Sequence, residues 1–325
     1  MTVPFQRPRR LRDNAVLREA IAETHVLPAH LMLPMFVADV PEPRPITAMP
    51  GVDQWPIPKL VAEIERLVER GLKSFILFGV PDHKDERASG ATSEDGIVPR
   101  ALIAIKKAVG DAALIATDVC ACSYTDHGHC GIIEGGRLHN DKSIELLANI
   151  ALAHAQAGAD IVAPSDMMDG RVRRIREVLD AHELTHVPIM SYAIKYASSL
   201  YGPFRHAADS APKFGDRRGY QMDFRNRHDA LREALLDEGE GADILMVKPG
   251  IAYLDILRDL RERTNLPLAI YQVSGEYSMI KFAAQANAID ERAVTRELWH
   301  SMRRAGANLI LTYHAAQAVR ERWLE

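Results

Sequence analysis

The chain has 325 residues, 47% of them hydrophobic and 26% charged, which suits one large globular domain or two small ones. A net charge of −4 and a pI near 6.4 give no electrostatic case for a nucleic-acid binder, and no apolar run approaches the roughly 18 residues needed to cross a bilayer. The first sixteen residues, MTVPFQRPRRLRDNAV, are basic but lack the apolar core of a signal peptide, so a soluble cytoplasmic protein is expected.

Residues 1–30 precede the first candidate strand. Within them RPRRLR (7–12) is basic and extended-looking, and it reads either as a solvated tail or as an arm docking on a neighbouring subunit. From residue 31 onward one unit recurs: a short β-branched apolar run, a polar loop, then a helix-periodic stretch. The runs are LMLPMFV (31–37), SFILFGV (74–80), ALIATDVC (113–120), DIVAPSD (160–166), PIMSYAIK (188–195), DILMVKP (243–249), LAIYQVS (268–274) and LILTYH (309–314). Most lack clean alternation, as expected of parallel strands buried on both faces. Between them KLVAEIERLVERG, SIELLANIALAHAQAG, DALREALLDEGEG and YLDILRDLRERT have amphipathic helical character, the first ending in a helix-stopping glycine. Strict alternation predicts an α/β fold with a (β/α)8 barrel over 31–325. A doubly wound open sheet also alternates, but polar residues collect at the strand ends, as they do at the mouth of a barrel.

Lys195 closes the fifth run and Lys248 the sixth. Neighbouring strands lie about 4.8 Å apart, so both amines are expected in one barrel mouth. Their mutual repulsion and burial lower at least one pKa, and a neutral amine can attack a ketone. One such lysine is ordinarily a solvated surface group. Two at adjacent strand ends, each set in an apolar run, read as chemistry.

DVCACSYTDHGHCG (118–131) follows the third run and holds all three cysteines of the chain, Cys120, Cys122 and Cys130. An odd cluster is a poor disulfide framework, and the C-x-C spacing would strain a bridge. Three thiolates on one loop can hold a tetrahedral zinc ion with a fourth position open for water or substrate. His127 or His129 could instead close the tetrahedron, so catalytic and structural zinc both stay open here. Asp118, just before this loop, could move protons or simply bond loop amides. Ser165, Tyr192, Ser274 and Tyr313 sit at strand ends as candidate substrate contacts. The segment YGPFRHAADSAPKFGDRRGYQM (201–222) is long and glycine-containing, like a mobile lid, with Arg205, Lys213, Arg217 and Arg218 suited to a carboxylate.

Together these motifs, with MPGV (49–52), APSDMMDGR (163–171), MVKPG and YQVSGEYSMIK (271–281), resemble the porphobilinogen synthase, or 5-aminolevulinate dehydratase, family from about residue 7 to 320. The resemblance implies condensation of two 5-aminolevulinate molecules in tetrapyrrole (haem) biosynthesis. It makes Lys248 the Schiff-base lysine for the first, P-side molecule and Lys195 that for the second, A-side one. It makes Cys120, Cys122 and Cys130 the ligands of a catalytic zinc, Ser274 and Tyr313 the grip on one carboxylate, and Arg205, Arg217 and Gln221 the lid's grip on the other. It places an allosteric magnesium at Glu233, and Arg12 in an arm wrapping the next subunit of a homo-octamer. Arg173, Arg174, His314 and an extra residue near Phe214 depart from the family's usual pattern without removing a catalytic group. A class I aldolase-type lyase, with one lysine imine and a structural zinc, is the rival enzyme. A non-catalytic scaffold would require ruined lysines or cysteines, and all are present.

Overall fold

The eight apolar runs form eight parallel strands: β1 (Leu31–Ala38), β2 (Ser74–Val80), β3 (Leu114–Val119), β4 (Ile161–Pro164), β5 (Met190–Lys195), β6 (Ile244–Lys248), β7 (Leu268–Gln272) and β8 (Leu309–Thr312). In this computed structural model, which describes residues 5–325, they pair in the order β4-β3-β2-β1-β8-β7-β6-β5. A parallel bridge between Val162 and Ile189 joins β4 to β5 and closes the ring. The fold is a (β/α)8 barrel, and the open-sheet alternative falls with that bridge. No helix among the described residues is long and apolar enough to cross a membrane.

Closure divides the core in two. Inside the barrel lie Met32, Phe36, Ile76, Phe78, Met190, Tyr192, Met246 and Leu311; the opposite faces of the strands pack on the helices. The helix Ile57–Glu69 shows how the outer layer is made, burying Leu60, Ile64 and Leu67 along one stripe.

One irregularity matters for everything at the mouth. Along β5, Met190 and Tyr192 face the barrel interior, so simple alternation would aim Ile194 inward and Lys195 at the helices. Instead Ala193 and Ile194 both join the outer core. The register against β6 shifts at this point, with Leu245 opposite Ser191 but Val247 opposite Ile194. The extra residue is a β-bulge, a device that re-aims a side chain. Lys195 then lies directly opposite Lys248.

One expectation needs correction. The arm segment RPRRLR is not extended: Pro8–Leu11 forms a 3-10 turn, and helix Ala15–Ala20 follows. A proline at the first helical position presets φ, and the Asn14 side chain accepts from the amides of Val16 and Leu17, so local chemistry folds the arm. The lid begins in regular structure, with short helices at Ser199–Tyr201 and Gly202–Ala207.

Behind β5 sits a buried polar network. Arg171 donates to both carboxylate oxygens of Asp237 at 3.2 and 2.9 Å and to the Ser191 hydroxyl at 3.1 Å, and Ser191 donates to Asp237 at 2.5 Å. This ties β5 to the helix His228–Gly239 outside it. Removing Asp237 leaves the buried Arg171 with only the more distant carboxylate of Asp166, at 3.7 Å and with no hydrogen bond between them. Asp237→Ala is therefore expected to cost about 3–5 kcal/mol, read as a fall in the urea midpoint at unchanged slope.

Candidate active site

The paired lysines share one narrow pocket at the C-terminal ends of the strands, where Asp118, Cys122, Ser165, Arg205 and Arg217 also reach. Its free volume is about 20 Å3, room for little more than a water molecule. The lid lies down over it, so any substrate with several carbons needs the lid to move.

The Lys248 amine stands inside a box of rings. Its Nζ lies 4.2 Å from the ring centre of Tyr271, 5.0 Å from Tyr192, 5.2 Å from Phe204 and 5.4 Å from Tyr201. Burial, with the neighbouring Lys195 charge second, lowers its pKa to about 7. Lys195 Nζ donates to the Ser165 carbonyl and lies 5.7 Å from the Tyr192 ring. Asp118 completes the polar floor; burial, with negative charge on Cys122 next, pushes its carboxyl up to about 7. The Tyr192 hydroxyl is buried between these groups without a protein partner, as is one Asp118 oxygen.

Beside this pocket the three cysteines converge. All are buried, and their sulfurs lie within 4.8 Å of one another, Cys120 and Cys122 at 3.3 Å. Zinc at about 2.3 Å from each sulfur would separate them by roughly 3.8 Å, so the donor set fits such an ion. Hydrogen bonds from Cys120 and Cys130 hold the Cys122 thiol well below its ordinary value, and the Arg217 and Lys195 charges act the same way. Among the described residues no histidine or carboxylate joins this set. His129 is instead occupied by the Tyr220 hydroxyl at 3.1 Å and the Phe214 carbonyl at 3.0 Å.

Those last contacts show the lid seated on the cysteine loop. Arg217 donates to the carbonyls of Gly128 at 2.8 Å and Ser210 at 2.6 Å, bridging the two segments. Gly128 has φ +74, and a Cβ there would come within 2.3 Å of the Ala211 carbonyl oxygen, so only glycine lets the lid lie this close. Arg205 has its Nε buried without a partner.

The other residues expected from the sequence lie farther out. The Ser274 hydroxyl accepts from the Phe204 amide at 3.0 Å, and the Tyr313 hydroxyl pairs with that of Tyr271 at 3.0 Å, so both sit one layer behind the Lys248 box. Gln221 and Glu233 line a different cavity of about 860 Å3 under the outer side of the lid, together with Asp169 and Asp229. Both polar ends of the buried Gln221 side chain lack a partner. Burial and the charge of Asp237 raise the Glu233 carboxyl, but no three ligand atoms converge there among the described residues. Apart from Tyr192, the ring box leaves no signal in the sequence. Tyr201 and Phe204 come from two short lid helices and Tyr271 from a third strand, and no spacing relates them to Lys248.

The delta-aminolevulinic acid dehydratase family model matches residues 5–321. The delta-aminolevulinic acid dehydratases of Synechocystis sp. and Bacillus subtilis are 51% and 49% identical, covering 99% and 100% of this chain and 99% of each relative. The chain belongs to the delta-aminolevulinic acid dehydratase family. A solved dehydratase from Toxoplasma gondii, in complex with the reaction product porphobilinogen, superposes at a TM-score of 0.96 with 44% identity, over 98% of this chain and 92% of that one. Membership makes the activity that of a porphobilinogen synthase, a lyase.

For this dehydratase the lowered pKa of Lys248 gives a direct test. Only the neutral amine reacts with carbonyl carbon, so reactivity climbs as pH rises and levels above about 7. Reductive methylation with formaldehyde, followed at Lys248 by mass spectrometry, should speed up roughly tenfold per pH unit below 7 and then plateau. A rate still climbing toward pH 10 would mean an ordinary amine.

Proposed function

We propose that Lys195 and Lys248 each form a Schiff base with one 5-aminolevulinate, and that this pair of imines, not a single one, carries the condensation to porphobilinogen. The carrying observation is the direct opposition of Lys195 and Lys248 across neighbouring strands. In each imine a C=N bond replaces the keto C=O, and over the whole condensation two waters leave. Nothing is oxidised or reduced. The neutral fraction of Lys248 supplies the first nucleophile at neutral pH. The ring faces around it attract a cation, so they suit the positive charge of a protonated imine while excluding water. Two sites holding identical molecules in fixed orientation make the coupling regiospecific.

Cys120, Cys122 and Cys130 would hold zinc, which supplies a Lewis acid that binds and orients the A-side amino group. Asp118, whose carboxyl is pushed up to about 7 and which lines the same pocket as both lysines and Cys122, would exchange protons with the reacting carbons. Arg205 and Arg217 enter the pocket from the lid and would meet the A-side carboxylate, with Gln221 moving in as the lid shifts. Ser274 and Tyr313 would take the P-side carboxylate, and Ser165 and Tyr192 the polar groups nearest the lysines.

Phe5, Leu11, Val16 and Ile21 of the arm are exposed in the single chain, which supports an arm that packs on a neighbour in a homo-octamer. Glu233, among acidic neighbours on the wall of the outer cavity, is the proposed magnesium position, and the cytoplasm the proposed compartment.

Borohydride added in the presence of saturating 5-aminolevulinate should leave two adducts per chain, one on each lysine. Lys195→Ala and Lys248→Ala should each lose one adduct and lower turnover by a factor of about 1,000 or more. One adduct in the unaltered protein, all of it on Lys248, would favour the aldolase-type reading. Removing the metal with a chelator should abolish pyrrole formation and restore it on zinc addition, while Lys248 still traps its keto substrate. Unchanged pyrrole formation after complete removal would end the zinc assignment.

A further inference from the structure

Glu276 is fully buried in the first turn of the helix Ser274–Gln285, and its partners are backbone amides. Its Oε2 accepts from the Val273 amide at 2.7 Å, which caps its own helix. A cap needs nothing more. Yet Oε1 also accepts from the Ile251 amide at 2.6 Å, and Oε2 from that of Gly250 at 3.3 Å, across 25 and 26 residues of sequence. These amides lie two and three residues beyond Lys248, on the loop leaving β6.

The surrounding backbone is packed for this contact. A Cβ at Gly250 would come within 2.9 Å of the Tyr271 carbonyl oxygen, and one at Gly275 within 2.5 Å of that of Leu200. The Tyr201 hydroxyl meanwhile donates to the carbonyls of Tyr196 at 2.7 Å and Lys248 at 3.3 Å. The end of β6 is thus held from two directions, by Tyr201 at the lysine itself and by Glu276 just beyond it.

We propose that Glu276 is a positioning residue for the reaction, its carboxylate clamping the loop after Lys248 to the start of the helix that carries Ser274. The clamp fixes the span between the amine that meets the keto carbon and the hydroxyl assigned to the carboxylate of the same molecule. This rests on the reading of Lys248 as an imine-forming lysine. Burial pushes the Glu276 carboxyl up to about 7 while the amides of Val273, Ile251 and Gly250 favour its ionised form, and a glutamine or a shorter side chain cannot offer two acceptor oxygens to both the cap and the loop.

The test uses the full-length zinc-loaded protein and 4-oxopentanoate, which has the keto and carboxylate groups but no amine to complete the condensation. Borohydride trapping is followed separately at Lys248 and Lys195 in the unaltered protein, Glu276→Gln and Glu276→Asp. The clamp predicts trapping at Lys248 slowed roughly ten- to hundredfold in both variants, with Lys195 unchanged as the internal control. Equal slowing at both lysines would make Glu276 merely structural and overturn the proposal, as would unchanged rates at Lys248. No adduct at Lys248 in the unaltered protein would overturn the imine reading and the clamp with it, whereas unchanged variants overturn the clamp alone. Should neither variant fold, hydrogen exchange of the unaltered protein decides: the Gly250 and Ile251 amides should exchange as slowly as that of Val273, and exchange at open-loop rates would refute the clamp.

Discussion

The pairing of two amines in this barrel depends on a single extra residue in its fifth strand. A parallel strand presents alternate side chains to opposite faces, and a slip of one position exchanges inside for outside. The bulge after Tyr192 makes that exchange once, turning Ala193 and Ile194 both outward and Lys195 inward, opposite Lys248. Without it the mouth would hold one amine and the helix layer would receive a charge.

With both amines inside, the rest of the electrostatics follows from burial. The rings around Lys248 keep water away, which disfavours its charge, and Lys195 next to it acts in the same direction. The same rings offer their faces to a cation, so the environment is hard on a solvated ammonium yet suited to an iminium formed in place. Cys122, held well below its ordinary thiol value, supplies negative charge close by, and Asp118 adds its ionised fraction, which keeps the mouth from being an uncompensated positive cavity.

The lid ties the two halves of the site together. It reaches the lysine pocket through Phe204, Arg205 and Arg217 and rests on the cysteine loop through Gly128, His129 and Phe214. One movement of the segment would therefore open the pocket and release its contacts with the cysteine loop. Such coupling suits a reaction that must admit two molecules, exclude water while bonds form, and release one larger product.

The sequence by itself determined the strands, their alternation with helices, the two lysines at strand ends and the thiol cluster, because each is a local pattern of a few residues. Burial on both faces writes itself as a continuous apolar run, and a three-cysteine loop carries its own spacing. It also determined the family, since the motifs span nearly the whole chain. What only the tertiary structure decided was direction and company. Alternation alone aims Lys195 the wrong way, and the correction comes from strand pairing, which is a property of two segments and not of either. The ring box joins residues from two short lid helices and three strands, so no periodicity could reveal it. The Glu276 clamp is likewise invisible in sequence, because from there a capping glutamate and a glutamate that also holds the loop after Lys248 look the same.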